Sequence, residues 1–109
     1  MDERERERYQ EARERTAYDR MDFIDAELGT GAAFAGVAES HYCSGQNREA
    51  RRARAQAAKA LYKADDAMQM ARDNGQATMH FTQRADRLRM RVEDLYVRDL
   101  RPDEPSEAA

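Results

Sequence analysis

The sequence predicts an all-α protein, and three observations support this prediction. Charged residues make up 38% of the 109 residues, and alanine supplies much of the 40% that are hydrophobic, a composition typical of long helices and coiled coils. Apolar residues recur every three or four positions along three segments. No segment alternates β-branched and polar residues as strands do. A chain of this length forms one domain, and we expect an antiparallel up-down-up bundle of three helices.

Residues 1–16 are expected to form a charged helical extension. They alternate Arg and Glu and contain few apolar residues. Each favourable pair of charges three or four residues apart stabilises a helix by only about 0.2–0.5 kcal/mol. Because apolar residues are few, tertiary packing can stabilise only the end of this segment. We expect residues 1–7 to be frayed and the remainder to be a solvated helix.

The bundle is predicted over residues 17–101, and its first helix over residues 17–42. The apolar positions of this helix lie at steps of four and three: Ala17, Met21, Ile24, Leu28, Ala32, Ala35 and Ala38. Gly29 and Gly31 fall within the pattern and cost about 1 kcal/mol each relative to alanine, so whether they kink or break the helix stays open. The uncharged segment 28–38 is interpreted as a close-packed face against which the other helices lie.

The second and third helices are predicted over residues 48–73 and 76–100. At about 25 residues each, the three helices would have matched lengths of roughly 35–40 Å. The apolar spacing predicts core positions in the second helix at Ala50, Ala53, Ala57, Ala60 or Leu61, Ala64, Ala67 or Met68, and Ala71. In the third helix it predicts Phe81, Ala85, Leu88, Val92 and Leu95. The predicted core positions on which we rely most are Leu28, Ala35, Leu61, Phe81, Leu88 and Leu95.

Turn and stop signals delimit these helices. Gly45 is suited to a C-terminal cap and Asn47 to an N-terminal cap, and Asn74-Gly75 is a strong turn signal. Pro102 is expected to end the third helix, and residues 102–109 to form a disordered acidic tail.

Charge is distributed unevenly along the chain, whose net charge is −3. Residues 21–45 contain four acidic residues and no Lys or Arg, whereas the second helix is basic. The simplest interpretation is that the acidic helix pairs with the basic one and fixes their antiparallel arrangement. A more specific interpretation is that an anionic partner binds to the cluster Arg48, Arg51, Arg52 and Arg54. The acidic overall charge and the lack of interleaved aromatic residues count against nucleic acid.

No constellation of residues indicates catalysis, and we expect no catalytic, cofactor-binding or metal site. His41 lies near Glu39 and Cys43 in the sequence, but helical spacing directs His41 away from the other two. Gly29-Thr30-Gly31 lacks the Lys and the preceding strand of a phosphate loop. A single cysteine, no apolar leader segment and no stretch of about 20 apolar residues lead us to expect a cytoplasmic protein without a membrane partner.

Residues 57–67 resemble the second helix of a tetratricopeptide-type hairpin, with small residues at every third or fourth position and Tyr62 among them. Together with residues 28–39 they are similar to short bacterial all-α proteins in which a Gly-x-x-Phe-Ala helix precedes an Ala-Tyr-x-x-Ala helix. The tetratricopeptide repeat of about 34 residues does not recur. The resemblance implies a helix-hairpin interaction module and no catalytic residue.

We therefore expect a non-enzymatic helical interaction or scaffold protein that self-associates, as a homo-oligomer, or binds another helical protein. The candidate interface residues are apolar residues outside the core stripes, namely Tyr62, Met70, Met90 and Val97, because Met and Tyr are enriched at protein interfaces. The alternative is a small regulatory protein that binds nucleic acid or an acidic partner through the basic cluster of the second helix.

Overall fold

The structure is a computed structural model that describes residues 2–99. It contains three helices, α1 (Glu3–Cys43), α2 (Asn47–Asp73) and α3 (Met79–Asp99), and no strand is present in these residues. The prediction of an all-α protein is confirmed. The predicted acidic tail, residues 102–109, and the predicted end of the third helix at Leu100 lie outside the described residues.

The first helix is much longer than its predicted bundle segment, because the charged extension continues it without interruption. It has 41 residues, which corresponds to about 60 Å instead of 35–40 Å, and the matched helix lengths that we predicted are wrong. The predicted fraying of residues 1–7 is wrong for the part that is described. Asp2 caps the helix by accepting a hydrogen bond from the backbone N–H of Glu5 (2.8 Å), and Glu3 and Glu5 lie in the first turn, where acidic residues are favourable. Gly29 and Gly31 do not break the helix.

Both turns end a helix in the same way, with a glycine in the left-handed region. Gly45 and Gly75 have φ values of 74° and 75°. In the second turn the N–H of Gln76 donates to the carbonyl of Ala71 and that of Gly75 to the carbonyl of Arg72, which is a Schellman motif. Because Gln76 thereby completes the end of α2, it cannot begin the third helix, which starts three residues later at Met79.

The predicted N-cap at Asn47 is also wrong. The cap position is occupied by Gln46, whose side chain makes no capping hydrogen bond, and Asn47 is the first residue of α2. The N–H of Gln46 donates to the carbonyl of His41 at 2.8 Å, so the Schellman motif at the end of α1 determines where α2 begins.

The core follows the predicted periodicity. All six residues on which the prediction relied most are buried, and so is every apolar position predicted from the spacing of α2 and α3. The side chains that α2 contributes are mostly alanine. Ile24 and Leu95 are the largest side chains that are fully buried among the described residues, so the core is thin for three long helices.

Each pair of helices is in contact, but every ion pair between helices in residues 2–99 includes a residue of α3. Arg84 pairs with Asp25 and Arg91 with Glu39, both on α1, while Arg89 pairs with Asp65 on α2, each at 2.5 Å. No ion pair joins α1 to α2 in this part of the chain. The acidic first helix does lie against the basic second one, as predicted, but ion pairs between the described residues do not form this contact. Alanines fill the contact between α1 and α2, and the acidic residues of α1 that are paired face α3.

Candidate interaction surface

The predicted basic cluster is divided between two sides of α2. Arg54 pairs with Asp99 of α3, and Arg51 Nε lies 3.5 Å from Asp99 Oδ2. Arg48 and Arg52, one turn apart, are exposed. Residues on a helix are separated by about 100° per position, so Arg51 and Arg54 share one side and Arg48 and Arg52 another. Of the four predicted binding residues, only Arg48 and Arg52 are therefore directed away from the α3 contact.

Arg54 belongs to a cluster that joins the ends of all three helices. Tyr42 Oη donates a hydrogen bond to Asp99 Oδ1 (2.7 Å), and Arg54 Nη1 donates to Tyr42 Oη (3.1 Å). The Arg54 guanidinium lies 3.9 Å from the ring centroid of Tyr96. The side chains of Arg54 and Asp99 are only 14% and 17% exposed, so this cluster connects the helices and leaves Arg54 little access to an external anion.

The cluster shifts the pKa values of two of its members in opposite directions. Burial, and then the hydrogen bond to Asp99, raise the pKa of Tyr42 to about 12. Burial alone would raise the pKa of Asp99, but the hydrogen bonds from Tyr42 and Arg54 and the charges of Arg54 and Arg51 outweigh it and hold that pKa below its ordinary value. The charged carboxylate of Asp99 is thus the stable form.

A second basic feature lies on the opposite side of α2, which we call the α2 basic stripe. It consists of Arg48, Arg52, Lys59 and Lys63. These residues lie four, seven and four positions apart, a spacing that keeps them on one face of a helix. They are exposed, and no ion pair to them occurs among residues 2–99. The stripe spans about 22 Å along the helix.

Beside this stripe, α1 has an uncharged face that is exposed to solvent, which we call the exposed α1 face. Its members are Phe23, Ala26, Thr30, Ala33, Phe34 and Val37. Phe23 and Val37 are each 44% exposed and Phe34 is 36% exposed. The uncharged segment 28–38 was predicted to form a single close-packed face. That interpretation is wrong for half of it, because Leu28, Gly31, Ala35 and Ala38 are buried while the residues between them are largely exposed.

Two open grooves lie along this side of the molecule, between α1 and α2. One, of about 410 Å³, is lined by Phe23 of α1 and by Tyr62, Lys63 and Met70 of α2. The other, of about 430 Å³, is lined by Phe34 of α1 with α2 residues that include Arg52, Ala53 and Gln56. Each groove therefore combines a phenylalanine of α1 with a member of the α2 basic stripe.

The four predicted interface residues are all exposed but lie on two different surfaces. Tyr62 and Met70 line the first groove. Met90 and Val97 lie on α3, each two positions after a buried leucine, and so on the side opposite to its core. Phe23 and Phe34 of α1 are not among these four residues, although both are exposed. The exposed α1 face has the same spacing of three and four residues as the core stripe beside it. This second set of uncharged positions is the sequence signal that could have identified the face.

The remaining candidate ligands are separated from one another. His41 Nδ1 lies 2.6 Å from Gln46 Oε1, Glu39 binds Arg91, and Cys43 is exposed as a free thiol. Within residues 2–99, no three His, Cys, Asp or Glu side chains are grouped so that they could hold a metal ion. No helix in the same range is long and apolar enough to cross a membrane.

Comparisons of the chain with protein-family models, with curated protein sequences and with solved structures give no match.

Proposed function

We propose that this protein is a non-enzymatic interaction protein that packs the exposed α1 face against a helix, either of another copy or of a different protein. The observation that carries the proposal is an uncharged helix face in solvent on a chain of which 38% is charged. Contiguous exposed apolar surface on a soluble protein marks an interaction site more often than isolated apolar residues do.

The proposal includes an up-down-up arrangement of the three helices, which the order of the contacts supports. In the ion pairs Asp25–Arg84 and Glu39–Arg91, residue numbers increase in the same direction along α1 and α3. Between α2 and α3 they change in opposite directions, since Arg54 meets Asp99 and Asp65 meets Arg89. In this arrangement α3 covers one side of the α1–α2 pair, and a fourth helix fits on the other.

Burial of the exposed α1 face would add the buried apolar area that the thin core lacks. Buried apolar area contributes about 25 cal/mol per Å², and Phe23, Phe34 and Val37 all retain substantial exposed area. The free Cys43 is compatible with a reducing compartment, and we propose the cytoplasm as the location of the interaction.

The test compares two substitutions that each add one charge. Phe34→Glu alters the exposed α1 face. The matched control is Met90→Glu, at a predicted interface residue that lies on the outer side of α3 and away from this face. We expect Phe34→Glu to abolish self-association in sedimentation experiments, or capture of a partner protein from an extract, while Met90→Glu behaves as the native protein. The proposal would be contradicted if Phe34→Glu left both self-association and capture of a partner protein unchanged.

A second candidate function is favoured by the α2 basic stripe, whose four cations have no ion pair within residues 2–99. They could bind an acidic partner protein or nucleic acid. We expect a protein with a net charge of −3 to bind a polyanion column weakly, and salt to release it. Retention that survives 0.1 M salt and is lost in the double variant Arg52→Glu/Lys59→Glu would favour this second candidate.

A further inference from the structure

We infer that the helix that packs on the exposed α1 face is α1 of a second copy, antiparallel to the first, with the two-fold axis beside Thr30. This inference rests on the proposed function, because it names the occupant of the same surface. Its two supports are the order of large and small residues along α1 and the distribution of charges that α3 leaves unpaired.

The exposed α1 face can pack against an antiparallel copy of itself, because large side chains then lie opposite smaller ones. In an antiparallel pair centred on Thr30, residues whose numbers add to 60 lie opposite each other. Phe34 then meets Ala26 of the second copy, and Phe23 meets Val37. Each large aromatic residue faces a smaller one, which is what close packing of two helices requires. A two-fold interface uses each such contact twice.

Neighbouring registers are less favourable. Sliding one α1 helix by one turn in either direction places Phe34 opposite Asp22 or Val37 opposite Glu27. Either shift buries a carboxylate against an apolar side chain, which is unfavourable when the charge has no partner. The register centred on Thr30 avoids both of these contacts. It places Glu27 opposite Ala33, whose small side chain leaves the carboxylate free to pair with a cation at the margin of the face.

The unpaired charges are complementary in the same register. On α1, Asp25 and Glu39 are paired with arginines of α3, whereas Asp22 and Glu27 have no ion pair within residues 2–99. Arg52 lines the groove that contains Phe34. Because Phe34 meets Ala26 of the second copy, Glu27 of that copy comes close to Arg52. The α2 basic stripe of each chain thus faces the acidic part of α1 in the other.

These features favour a protein over nucleic acid as the occupant. The basic stripe adjoins an apolar face with two phenylalanines, and acidic residues such as Asp66 line the same grooves. A phosphate backbone would gain from the cations but would be repelled by the carboxylates and would leave the apolar face in water. A helix of the same chain satisfies both the apolar face and the basic stripe.

Cysteine cross-linking tests the register and the orientation. In a Cys43→Ser background, which removes the native thiol, Thr30→Cys is expected to give a disulfide-linked dimer on mild oxidation. The reason is that the two Cα atoms at the axis come within the roughly 4.4–6.8 Å that a disulfide requires. Ala26→Cys lies on the same face but about 12 Å along the helix from its copy, so it should not form a dimer with itself. Gln83→Cys on α3 measures random collisions.

Each cross-linking result has a defined meaning. Cross-linking of Thr30→Cys alone supports the inference. Cross-linking of both Thr30→Cys and Ala26→Cys would indicate parallel helices and overturn it, as would a yield for Thr30→Cys no higher than for Gln83→Cys. Stronger binding of the native protein to duplex DNA than to itself would overturn it as well.

A charge exchange provides a second readout that does not depend on oxidation. We expect Arg52→Glu and Glu27→Arg each to raise the dissociation constant of the dimer about tenfold, and the double variant to restore it to within about threefold of the native value. Additive losses in the double variant would overturn the contact between these residues.

Sedimentation separates failure of this inference from failure of the proposed function. A dimer that depends on Phe34 but does not cross-link through Thr30→Cys overturns the inference and leaves the proposed function in place. A protein that is monomeric at 100 µM also overturns the inference. In that case the proposed function depends on capture of a different protein through the same face, and it fails if Phe34→Glu leaves that capture unchanged.

Discussion

A Cβ atom added to Gly31 of α1 would stand 2.5 Å from Cδ2 of Leu88 on α3. It would also lie 3.4 Å from the Cβ of Ala60 and 3.5 Å from the carbonyl oxygen of Ala57, both on α2. All three helices therefore meet at Gly31, where the absence of a side chain lets them approach closely. Two residues earlier, a Cβ atom added to Gly29 would meet nothing within 4 Å.

This contrast predicts opposite effects of the same substitution. Gly31→Ala gains about 1 kcal/mol of helix propensity but must displace Leu88, which is only 3% exposed, and overpacking costs about 1–3 kcal/mol or more. We expect a net loss of stability for Gly31→Ala and a gain of about 0.5–1 kcal/mol for Gly29→Ala. Urea denaturation measures both, and equal effects would show that the helices do not meet closely at Gly31.

Leu88 itself is predicted to be a main source of stability. Leu88→Ala should lower the free energy of unfolding by about 2–5 kcal/mol, because the side chain is buried between α1 and α3 in a thin core. The control is Met90→Ala on the same helix, at a residue that is 64% exposed, for which we expect a change within about 0.5 kcal/mol. A loss below 0.5 kcal/mol for Leu88→Ala would show that the site is not packed as described.

The fold was predictable from the sequence where one physical signal was dominant. The spacing of alanine along α2 and of large apolar residues along α3 placed every predicted core position of those helices correctly. Gly45 and Gly75 were identified as turn residues because few other residues tolerate a positive φ. These signals are local, and a single sequence contains them completely.

The errors arose where the outcome depended on contacts between helices. The sequence does not show which side of α2 faces α3, so Arg51 and Arg54 were grouped with Arg48 and Arg52. The uncharged segment of α1 was assigned to the core as a whole because hydropathy does not distinguish a buried face from an exposed one. Both errors concern the candidate interaction surface, which is defined by what α3 leaves uncovered.

The Asp99 cluster predicts a stability that depends on pH. The pKa of Asp99 is lower in the folded protein than its ordinary value, so its contribution is present above the ordinary pKa and is lost as pH falls through the folded pKa. We expect Asp99→Asn to cost about 3 kcal/mol at pH 7, because it leaves Arg54 buried without its partner. The cost should shrink in denaturation curves measured below pH 4, and a loss independent of pH between 7 and 3 would exclude this role.

Tyr42 gives an optical readout of the same cluster. Its pKa is raised to about 12, so its contribution to stability is present below the ordinary tyrosine pKa of about 10 and is lost as pH rises through the folded value. In an absorbance titration of phenolate at 295 nm, the native protein should show a component near pH 12. We expect Tyr42→Phe to remove it and Asp99→Asn to lower its pKa. Persistence of that component in Tyr42→Phe would assign it to another tyrosine.

The N-terminal part of α1, up to residue 16, is predicted to contribute helix content but little stability. Residues 2–16 are all exposed, so this part of α1 makes little contact with α2 and α3. An isolated helix of about 14 residues is marginal in water because nucleation is costly, but here the rest of α1 supplies the nucleus. Deletion of residues 2–15 should therefore remove about one seventh of the helical signal in circular dichroism.

The same deletion should change the free energy of unfolding by less than about 1 kcal/mol. It should also leave any dimer intact, because the exposed α1 face begins at Phe23. A longer deletion, through Ile24, is the control: it removes one of the largest fully buried side chains and the hydrogen bond from Arg20 to Gln76 (2.5 Å), so we expect it to destabilise the bundle strongly. If deletion of residues 2–15 alone dissociated the dimer, the charged extension would be the interface instead of the exposed α1 face.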